Sequence, residues 1–441
     1  MITKKAIFQN LFFFTLYIRG ESYKSYTKNY SKSQYDTLEN QRSHQLGKIN
    51  ELLATAKDIP HYGDRIPRLL RSLEDISSLP LLEKDEIRDK PRTFTNNKGF
   101  NQRLKTSGGS TGAPVTILKD SQGVAHEMAA SWRGYHWAGI CEGDKQVRFW
   151  GVPRNFKDKL RSKIIDLICH RIRITAFGYD QKSMRQALKK IEKFNPDYFY
   201  GYTSIINELA VYVLDTKTKP KLNLKSIITT SEVLTEIDRK NIENAFSAKV
   251  FDEYGCGEVG TIAHQCALGS MHINSENMLV EVLSPQGVPV SPGEPGELVI
   301  TDLTNHSMPL IRYRLKDYGV LSLQPCLCGR TLPVLEKIYG RQYDILTNRL
   351  GEKFHGEFFL YILEDARKKN LNVTGVQFIQ NKNLNITVKL IANDQDYHDL
   401  KIYIKKRIRD DFDNSIDINF ELVKKIEREP SGKLRVVKFE P

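Results

Sequence analysis

Two hydrophobic periods alternate along the middle of the chain. Short apolar runs of strand length are separated by longer stretches in which apolar residues recur every three or four positions, as in helices. The strands are predicted at 146–150, 173–177, 198–200, 226–230 and 249–253. The helices are predicted at 159–169, 181–194, 205–214 and 236–246. This repetition predicts an α/β fold with a sheet joined by parallel crossovers.

The two ends of the chain depart from that pattern. Residues 45–56 have helical spacing, and the apolar run 11–18 follows the basic pair Lys4 and Lys5. That run is too short to span a bilayer and no small-residue cleavage pattern follows it. We therefore predict a docking helix and no transmembrane segment, with weak membrane association of this end left open.

A compositional change near residue 340 indicates a second domain. Beyond it, 375–392 contains two strand-like runs joined at 381–383, followed by a predicted helix at 397–412 and a strand at 416–423. We expect residues 340–441 to form a small α+β domain and residues 1–339 to form a larger α/β domain with mixed sheets and helices.

One glycine-rich stretch between residues 105 and 115, Lys-Thr-Ser-Gly-Gly-Ser-Thr-Gly-Ala-Pro-Val, is unlike the sequence around it. Its glycines allow backbone amides to approach a polyphosphate, and its hydroxyl side chains add donors. The Gly-Lys-Ser/Thr ending of a Walker loop is missing. The stretch is read either as a phosphate-binding loop or as a flexible Gly/Ser turn.

Composition limits the classes of partner. The chain has 441 residues, of which 40% are hydrophobic and 27% charged, with a formal net charge of +13. These values are typical of a folded protein that favours anionic partners. No recognised nucleic-acid-reading module occurs, so we expect no nucleic-acid partner.

The cysteines point to a metal. Cys326 and Cys328 form a Cys-x-Cys pair, and Cys266 precedes His272 by six positions. Three thiolates and one imidazole make up a common ligand set of structural zinc, so we predict Zn²⁺ here. Two further residues, His264 and Cys256, remain alternative ligands, and unrelated buried thiols with a core histidine are the plainer reading.

Five motifs occur in order over nearly the whole chain. They are Thr-Ser-Gly-Gly-Ser-Thr-Gly-Ala-Pro at 106–114, Asp-Glu-Tyr-Gly-Cys-Gly-Glu at 252–258, the segment 301–317 with Pro-Leu-Ile-Arg-Tyr-Arg, Gly-Arg-Gln-Tyr-Asp at 340–344 and Glu-Pro-Ser-Gly-Lys at 429–433. Together they resemble the adenylate-forming superfamily, most closely the branch of phenylacetate–coenzyme A ligase, CapK and coenzyme F390 synthetase-like proteins. The resemblance implies a mobile C-terminal domain.

The resemblance also implies roles for individual residues. Lys433 and Glu258 would be catalytic, with Lys433 reaching the carboxylate and α-phosphate and Glu258 helping to hold Mg²⁺. Tyr254 would stack on adenine, Asp317 would bind the ribose, and Arg341 would lie near the nucleotide. The full expected ATP/AMP site is Thr106, Ser107, Gly108, Gly109, Ser110, Thr111, Gly112, Tyr254, Asp317 and Arg341.

Two further positions follow from the motifs. Asp344 stands where the family has its hinge, and a simple linker aspartate is the plain alternative. Gly257 stands where many relatives have Thr or Ser, so one phosphate-contacting hydroxyl is missing or supplied elsewhere. Taken alone, Tyr254 could equally be an aromatic residue of the core, and Lys433 could be one of several lysines in a basic tail.

The acid pocket is expected at the ends of predicted strands, because ligands of open α/β sheets bind there. The residues concerned are Trp150, Tyr200, Tyr202, Ser231 and Glu232. Their aromatic character suits an aromatic or amphipathic acid.

These readings lead to an expected function. We expect an adenylate-forming ligase that uses ATP and Mg²⁺ to activate a small carboxylic acid and passes the acyl group to coenzyme A or another thiol or amine acceptor. Surface-polysaccharide assembly, with amide formation on a sugar or carrier, is an alternative, and a catalytically silent nucleotide-binding protein is another. We expect a cytoplasmic protein, with the oligomeric state open and a dimer among the options.

Overall fold

The computed structural model describes residues 4–96, 98, 100–106, 115–150, 156–174, 181–341, 346–354, 375–427 and 435–440, with scattered positions between 358 and 373. The chain divides into two compact units. One comprises Met1–Leu315 with Val320–Lys337, and the other comprises Lys316–Gly319 with Ile338–Pro441. The functional boundary at residue 340 and the mobility of the small domain stay predictions.

The helices in the described residues are mostly amphipathic and several begin with a capping side chain. Thr37, Asp120, Thr235 and Asn393 each accept a hydrogen bond from a backbone amide of the first turn. The helices are α1 Lys4–Ile18, α2 Tyr23–Ser33, α3 Leu38–Ala56, α4 Lys84–Asp89, α5 Ser121–Trp137, α6 Phe156–Ile168, α7 Gln181–Phe194, α8 Thr203–Asp215, α9 Glu236–Phe246 and α10 Asp394–Asp411. Short 3₁₀ helices occupy Gly63–Arg65, Glu74–Ser78 and Pro91–Phe94.

The strands in the described residues fall into four sheets. They are β1 Arg103–Thr106, β2 Thr116–Lys119, β3 Gln146–Phe149, β4 Arg171–Ile174, β5 Tyr198–Tyr202, β6 Ser226–Thr230, β7 Val250–Cys256, β8 Gly260–Gln265, β9 Met271–Ile273, β10 Met278–Leu283, β11 Pro295–Asp302, β12 Tyr313–Leu321, β13 Val334–Arg341, β14 Leu346–Thr347, β15 Lys353–Phe354, β16 Gly375–Asn381, β17 Ile386–Ile391, β18 Ile418–Leu422 and β19 Val437–Glu440.

The largest sheet has eleven strands in the order β10-β11-β12-β13-β9-β8-β7-β6-β5-β3-β4. Strands β4, β3, β5, β6 and β7 pair in parallel, as the βα repetition predicts. From β7 onward, the pairs β7/β8, β8/β9, β9/β13 and β10/β11 are antiparallel. The predicted α/β class with mixed sheets is therefore confirmed.

Several predicted elements agree with the structure to the residue. Helices α7 and α9 and strand β6 have the predicted bounds. Strand β4 ends at Ile174, three residues before the predicted end, and residues 175–180 lie outside the described part. The predicted docking helix extends back to Lys4 as α1, with Phe12 and Leu16 buried.

The hydrophobic cores lie on the two faces of the large sheet and in the C-terminal unit. Helices α7, α8 and α9 pack with β3, β5 and β6 around Phe199 and Ile227. Helix α3 and the segment 59–94 pack against β8 and β11 around Ile262. In the C-terminal unit the sheet β18-β17-β16-β19 and helix α10 share a core that includes Phe378. Among the described residues, no helix is long and apolar enough to cross a bilayer.

Candidate active site and metal centre

The glycine-rich stretch begins and ends on a β-hairpin. Strands β1 and β2 pair antiparallel, with Thr106 opposite Thr116, so the two ends of the loop are held side by side. The predicted phosphate-contacting residues Ser107, Gly108, Gly109, Ser110, Thr111 and Gly112 lie outside the described residues. Thr106 closes β1, and the structure therefore fixes the base of the loop.

A buried charge network connects that base with two other motifs. Lys119, at the end of β2, is 1% exposed, and its ammonium lies 3.0 Å from Glu127 and 3.4 Å from Asp302. It also donates to the carbonyl of Val259 at 2.9 Å. Lys105, just before the loop, pairs with Glu127 as well. The network thus joins both ends of the loop, the residue after Glu258 and the end of β11.

The network shifts the pKa values of its members. Burial alone would raise the pKa of Glu127, but Lys105 and Lys119 outweigh burial and lower it to about 2. Burial alone would lower the pKa of Lys119, but Glu127 and Asp302 raise it above its usual value. Gly260 permits this close packing, because a Cβ at that position would lie 2.3 Å from the Glu127 carboxyl carbon. The glycine after Val259 is therefore required by the approach of Glu127.

Tyr254 and Glu258 lie at and just beyond the carboxyl end of β7. A register shift between Tyr254 and Gly255 interrupts the pairing of β7 with β8, and Tyr254 packs against the adjacent core. Glu258 is 4% exposed and forms an ion pair with Lys84 at 3.0 Å. Tyr313 donates to the same carboxylate at 3.4 Å. The structure thus places a buried carboxylate next to the base of the glycine-rich loop.

The remaining nucleotide-site residues are only partly described. Asp317 is buried within β12. Arg341 closes β13, and its side chain is outside the described part, as are Asp344 and Lys433 altogether. Their predicted roles stay predictions.

The predicted acid pocket gathers at one edge of the sheet. Because β3, β5 and β6 are parallel, the residues that follow them or end them lie on the same side. Trp150 stacks on Tyr202 with ring centroids 4.2 Å apart and on Tyr200 at 6.0 Å. Tyr200 donates to the buried Glu253 at 2.9 Å. The three aromatic side chains therefore form one wall.

Two predicted pocket residues follow β6. Ser231 has a left-handed backbone with φ of 70°, which turns the chain sharply after the strand. Glu232 accepts a hydrogen bond from the Ser204 amide at 2.8 Å, at the start of α8. Glu232 therefore caps the first turn of that helix.

A residue that the sequence did not single out completes the wall. The guanidinium of Arg148 lies 4.7 Å from the centroid of the Trp150 ring and 4.9 Å from that of Tyr200. Within the described residues it forms no ion pair, and its Nε has no hydrogen-bond partner. Burial lowers the pKa of Arg148, and the nearby Arg171 lowers it further. An arginine held over aromatic rings at a strand end can bind an anionic group.

The four predicted metal ligands come together. Their donor atoms in Cys266, His272, Cys326 and Cys328 all lie within 4.8 Å of one another. The Cys266 and Cys326 sulfurs are 3.8 Å apart, and Cys328 Sγ is 3.2 Å from His272 Nε2. Two thiolates on one tetrahedral zinc are separated by about 3.8 Å, given a Zn–S bond of about 2.3 Å. The donor set and spacing therefore fit a tetrahedral metal.

The histidine is oriented for ligation. His272 Nδ1 lies 3.1 Å from the carbonyl of Leu332, which leaves Nε2 facing the three sulfurs. Burial lowers the pKa of His272 to about 4 and raises that of the Cys266 thiol to about 11. The two alternative ligands, His264 and Cys256, do not belong to this group of four donors. His264 Nδ1 lies 3.1 Å from the carbonyl of Gln265, and Cys256 packs against an apolar core.

Sequence reasoning missed the charged residues that support the site. These are Lys84, Lys105, Lys119, Glu127 and Arg148. A signal existed for two of them, because Lys105 and Lys119 lie on the two strands of the hairpin that carries the loop. Nothing in the local sequence connects Glu127 or Lys84 with that loop, since their partners are distant along the chain.

Comparison with known proteins now defines the class. A crystal structure of 2-hydroxyisobutyryl-CoA ligase with 2-HIB-AMP, in the postadenylation state, aligns with a TM-score of 0.74 at 19% identity over 93% of each chain. An anthranilate CoA ligase with anthranoyl-AMP aligns with a TM-score of 0.53 at 16% identity over 75% of this chain and 64% of its own. The fold is that of the adenylate-forming enzymes.

Proteins similar in sequence indicate which branch of these enzymes the chain resembles. Protein CapK of Staphylococcus aureus is 28% identical over 82% of this chain and 80% of its own length. The phenylacetate-coenzyme A ligase of Thermus thermophilus is 28% identical over 64% of each chain. A family model described as the CapK C-terminal domain matches residues 351–440. These similarities confirm the predicted resemblance and the predicted enzyme class, an adenylate-forming ligase.

Proposed function

We propose that this protein activates a carboxylic acid with ATP. The acid oxygen attacks the α-phosphorus, the bond to the pyrophosphate oxygen breaks, and acyl-adenylate and pyrophosphate form. The observation that carries the proposal is the Lys119 network, which holds the base of the glycine-rich loop against the residue after Glu258. A phosphate-binding loop and a metal-binding carboxylate need that proximity, because adenylation relies on positioning and charge compensation.

The proposed roles follow the resemblance. The loop Thr106–Gly112 binds phosphates, Tyr254 stacks on adenine, and Asp317 accepts from the ribose. Lys433 and Arg341 stabilise negative charge near the α-phosphate. Glu258 supplies an oxygen ligand of the kind Mg²⁺ prefers, and the ammonium of Lys84 compensates the carboxylate charge in the present conformation. Bound Mg²⁺ would neutralise charge on the phosphates.

The acid pocket favours an aromatic acid with a second anionic or hydrogen-bond-accepting group. Trp150, Tyr200 and Tyr202 supply an aromatic wall, and the partly exposed guanidinium of Arg148 supplies a positive charge beside it. Burial raises the pKa of the neighbouring Glu253 and Arg148 acts against that shift, while Nε of Arg148 has no hydrogen-bond partner among the described residues. An acceptor group of the substrate can take that hydrogen bond. The stacked rings and Arg148 together favour this class of acid.

We further propose that the Cys/His cluster holds structural zinc. All four of its donors are protein side chains, which leaves no coordination position for water in a tetrahedral site. Cys266 and His272 lie on the β8–β9 hairpin, while Cys326 and Cys328 lie on the connection between β12 and β13. The ion would fasten these two segments together.

Two kinds of acceptor for the acyl group are proposed. The similarity to phenylacetate-coenzyme A ligases favours thioester formation with coenzyme A, a reaction of the cytoplasm, where ATP and the thiol occur together. The similarity to CapK, both along the chain and in the C-terminal domain, favours an amine acceptor on a sugar or carrier in surface-polysaccharide assembly. In both versions the acceptor displaces AMP from the acyl-adenylate.

The deciding experiment is ATP–pyrophosphate exchange with a panel of acids in matched pairs. Each pair contains an aryl acid and the same acid carrying a second carboxylate or hydroxyl. Exchange with any acid supports adenylation, and faster exchange with the substituted member supports the role of Arg148. AMP release that depends on coenzyme A, compared with release that depends on amino sugars, separates the two acceptors.

A silent nucleotide-binding protein is the second candidate, because Gly257 replaces a hydroxyl residue found in many relatives. Binding of ATP without exchange for any acid of the panel would favour it. Single-turnover measurement with the best-binding acid would then detect whether any acyl-adenylate forms.

A further inference from the structure

Helix α1 is apolar on two opposite faces. Phe12 and Leu16 are buried against α2 and α5. On the other side Ile7, Leu11, Phe14 and Ile18 follow helical spacing and are 53%, 36%, 58% and 65% exposed. A helix that rests on one side against a core ordinarily presents polar residues on the other. The outer face of α1 is therefore an unpartnered apolar stripe within the described structure.

The neighbouring helix α6 also exposes an apolar stripe. It packs beside α1, and Phe8 of α1 stacks on His170 just beyond α6 with ring centroids 3.7 Å apart. Leu160, Ile164 and Leu167 of α6 share one helical face and are 53%, 53% and 66% exposed. Two adjacent helices thus expose apolar stripes.

One acidic side chain of α6 is shielded from solvent. Asp166 forms ion pairs with Arg171 at 2.5 Å and with Arg173 at 3.0 Å, and all three side chains are largely shielded from solvent. Helix α6 therefore shields this acidic side chain, while its exposed surface carries apolar and basic residues. Singly exposed apolar residues are normal, but two adjacent helices with apolar stripes mark an interaction surface.

Basic residues are exposed on α6 itself and on α2, the helix next to α1. Lys24, Lys28 and Lys32 recur every four residues on the exposed side of α2, which packs against α1. Lys24 lies 4.1 Å from the centroid of the Phe13 ring of α1. On α6 the exposed charged residues are Lys159, Arg161 and Lys163. We call the exposed residues of α1, α2 and α6 the basic-apolar face.

Acidic side chains are nearly missing from α1 and α2. Between residues 4 and 33 the sequence contains one acidic residue, Glu21. It is 6% exposed and lies 3.0 Å from Arg19 and 2.8 Å from Arg103. Its charge is therefore compensated inside the protein, and the outward charge of α1 and α2 is positive.

We propose that the basic-apolar face binds the surface of an anionic lipid bilayer. Exposed apolar side chains with lysines at their margin are the pattern of helices that lie in the plane of the membrane interface. No described helix can cross a bilayer, so binding is peripheral. A second copy of the chain fits the face poorly, because a two-fold contact would place these lysines and arginines opposite like charges. The proposal does not depend on the proposed reaction.

Vesicle flotation tests the proposal with the full-length protein. Neutral phosphatidylcholine vesicles are compared with vesicles in which one quarter of the lipid is phosphatidylglycerol. Binding is expected on the anionic vesicles and should weaken strongly between roughly 0.05 and 0.5 M salt, because screening shortens the reach of the lysines. Equal binding to both kinds of vesicle, or to neither, would overturn the proposal.

The apolar part is tested by the double variant Phe14→Ser with Ile18→Ser. We expect at least about a tenfold weaker partition onto anionic vesicles, since two exposed apolar side chains no longer enter the interface. The matched control is Leu69→Ser with Leu323→Ser, which changes two leucines 63% and 67% exposed outside the basic-apolar face. The control should bind like the unmodified chain, and equal losses in both variants would contradict the assignment of the face.

The charged part is tested by Lys28→Gln with Lys32→Gln. Each lysine near an anionic leaflet contributes about a factor of five, so roughly a twentyfold loss is expected. The control Lys182→Gln with Lys189→Gln removes two exposed lysines of α7. Sedimentation of all variants measures self-association in parallel. A dimer that the Phe14→Ser, Ile18→Ser variant dissociates, without vesicle binding by the unmodified chain, would assign the face to a second copy instead.

Discussion

The Cys/His cluster and the candidate active site both involve strands of the eleven-stranded sheet but are built differently. The cluster lies among antiparallel strands, with two ligands separated by one residue and two on a single hairpin. The acid-pocket residues end or follow parallel strands, and the Lys119 network joins a separate hairpin to the large sheet. Local spacing specifies the first site, whereas sheet topology and buried charge pairs assemble the second.

That difference has consequences for stability and for chemistry. A closed set of four donors can bind an ion and fasten segments but leaves no position for a substrate. The active site instead contains charged groups such as Lys119, whose partners Glu127 and Asp302 lie on other elements of the fold. Substitutions should therefore separate the two regions by their effects on folding, on catalysis and on metal content.

The largest expected effect is that of Lys119→Met. Removing the buried ammonium leaves Glu127 and Asp302 close together without it, and breaking a buried ion pair in this way costs about 3–5 kcal/mol. The free energy of unfolding from urea titration measures the loss. The control Lys438→Met disrupts an exposed pair with Glu440 and should change stability by less than about 1 kcal/mol. Similar values for both variants would mean that the network does not support the loop.

The next effect concerns catalysis alone. Lys433→Ala should slow ATP–pyrophosphate exchange by about 10²–10³-fold, because a charge aimed at the transition state is lost. Thermal unfolding should not change. Lys425→Ala, which removes an exposed lysine eight positions earlier, serves as the control and should retain full exchange. Unchanged exchange in the Lys433 variant would show that another residue is the catalytic lysine.

Sequence reasoning reached the fold and the metal cluster because their signals are local. The βα repetition gave α7, α9 and β6 their observed bounds, and the Cys-x-Cys pair with Cys266 and His272 identified the four converging donors. The antiparallel strands of the large sheet were harder to predict from the sequence, because short strands such as β9 show little hydrophobic periodicity.

The supporting charges of the active site could not be predicted in the same way. Glu127 lies on a helix whose other residues give no sign of catalysis, and its partners are 22 and 8 positions away on the hairpin. Arg148 occupies an ordinary strand, and only the stacking of Trp150 and Tyr200 around it distinguishes it from a surface arginine. Such contacts depend on the relative position of elements and leave no pattern in a single sequence.

A smaller effect is expected at the metal cluster. Cys328→Ser should release zinc and lower the melting temperature by roughly 5 °C or more, because a structural ion contributes directly to folding. Elemental analysis of the purified protein measures the zinc content, and thermal unfolding with and without a chelator measures the melting temperature. Cys141→Ser changes an exposed cysteine outside the cluster and should alter neither. If the unmodified protein contains no zinc, the assignment of the cluster is wrong.

The smallest effect is a pH dependence that distinguishes the charge network from the metal cluster. The pKa of Glu127 in the folded protein is lowered to about 2, so its stabilising contribution is fully present above its ordinary pKa and is lost as the pH falls towards 2. Glu127→Gln should therefore be less stable than the unmodified chain by about 3 kcal/mol at pH 7, and the difference should fall to roughly half of that near pH 3. Urea titrations at both pH values measure it.

The control for this comparison is Glu39→Gln, which changes an exposed carboxylate in the first turn of α3. Its stability difference should be small and nearly the same at both pH values. A Glu127→Gln difference that also stays constant between pH 7 and pH 3 would mean that Lys105 and Lys119 do not hold the carboxylate ionised. The base of the glycine-rich loop would then be held by the pairing of β1 with β2 and by packing, not by buried charges. In that case the candidate active site and the Cys/His cluster would both depend mainly on local structure.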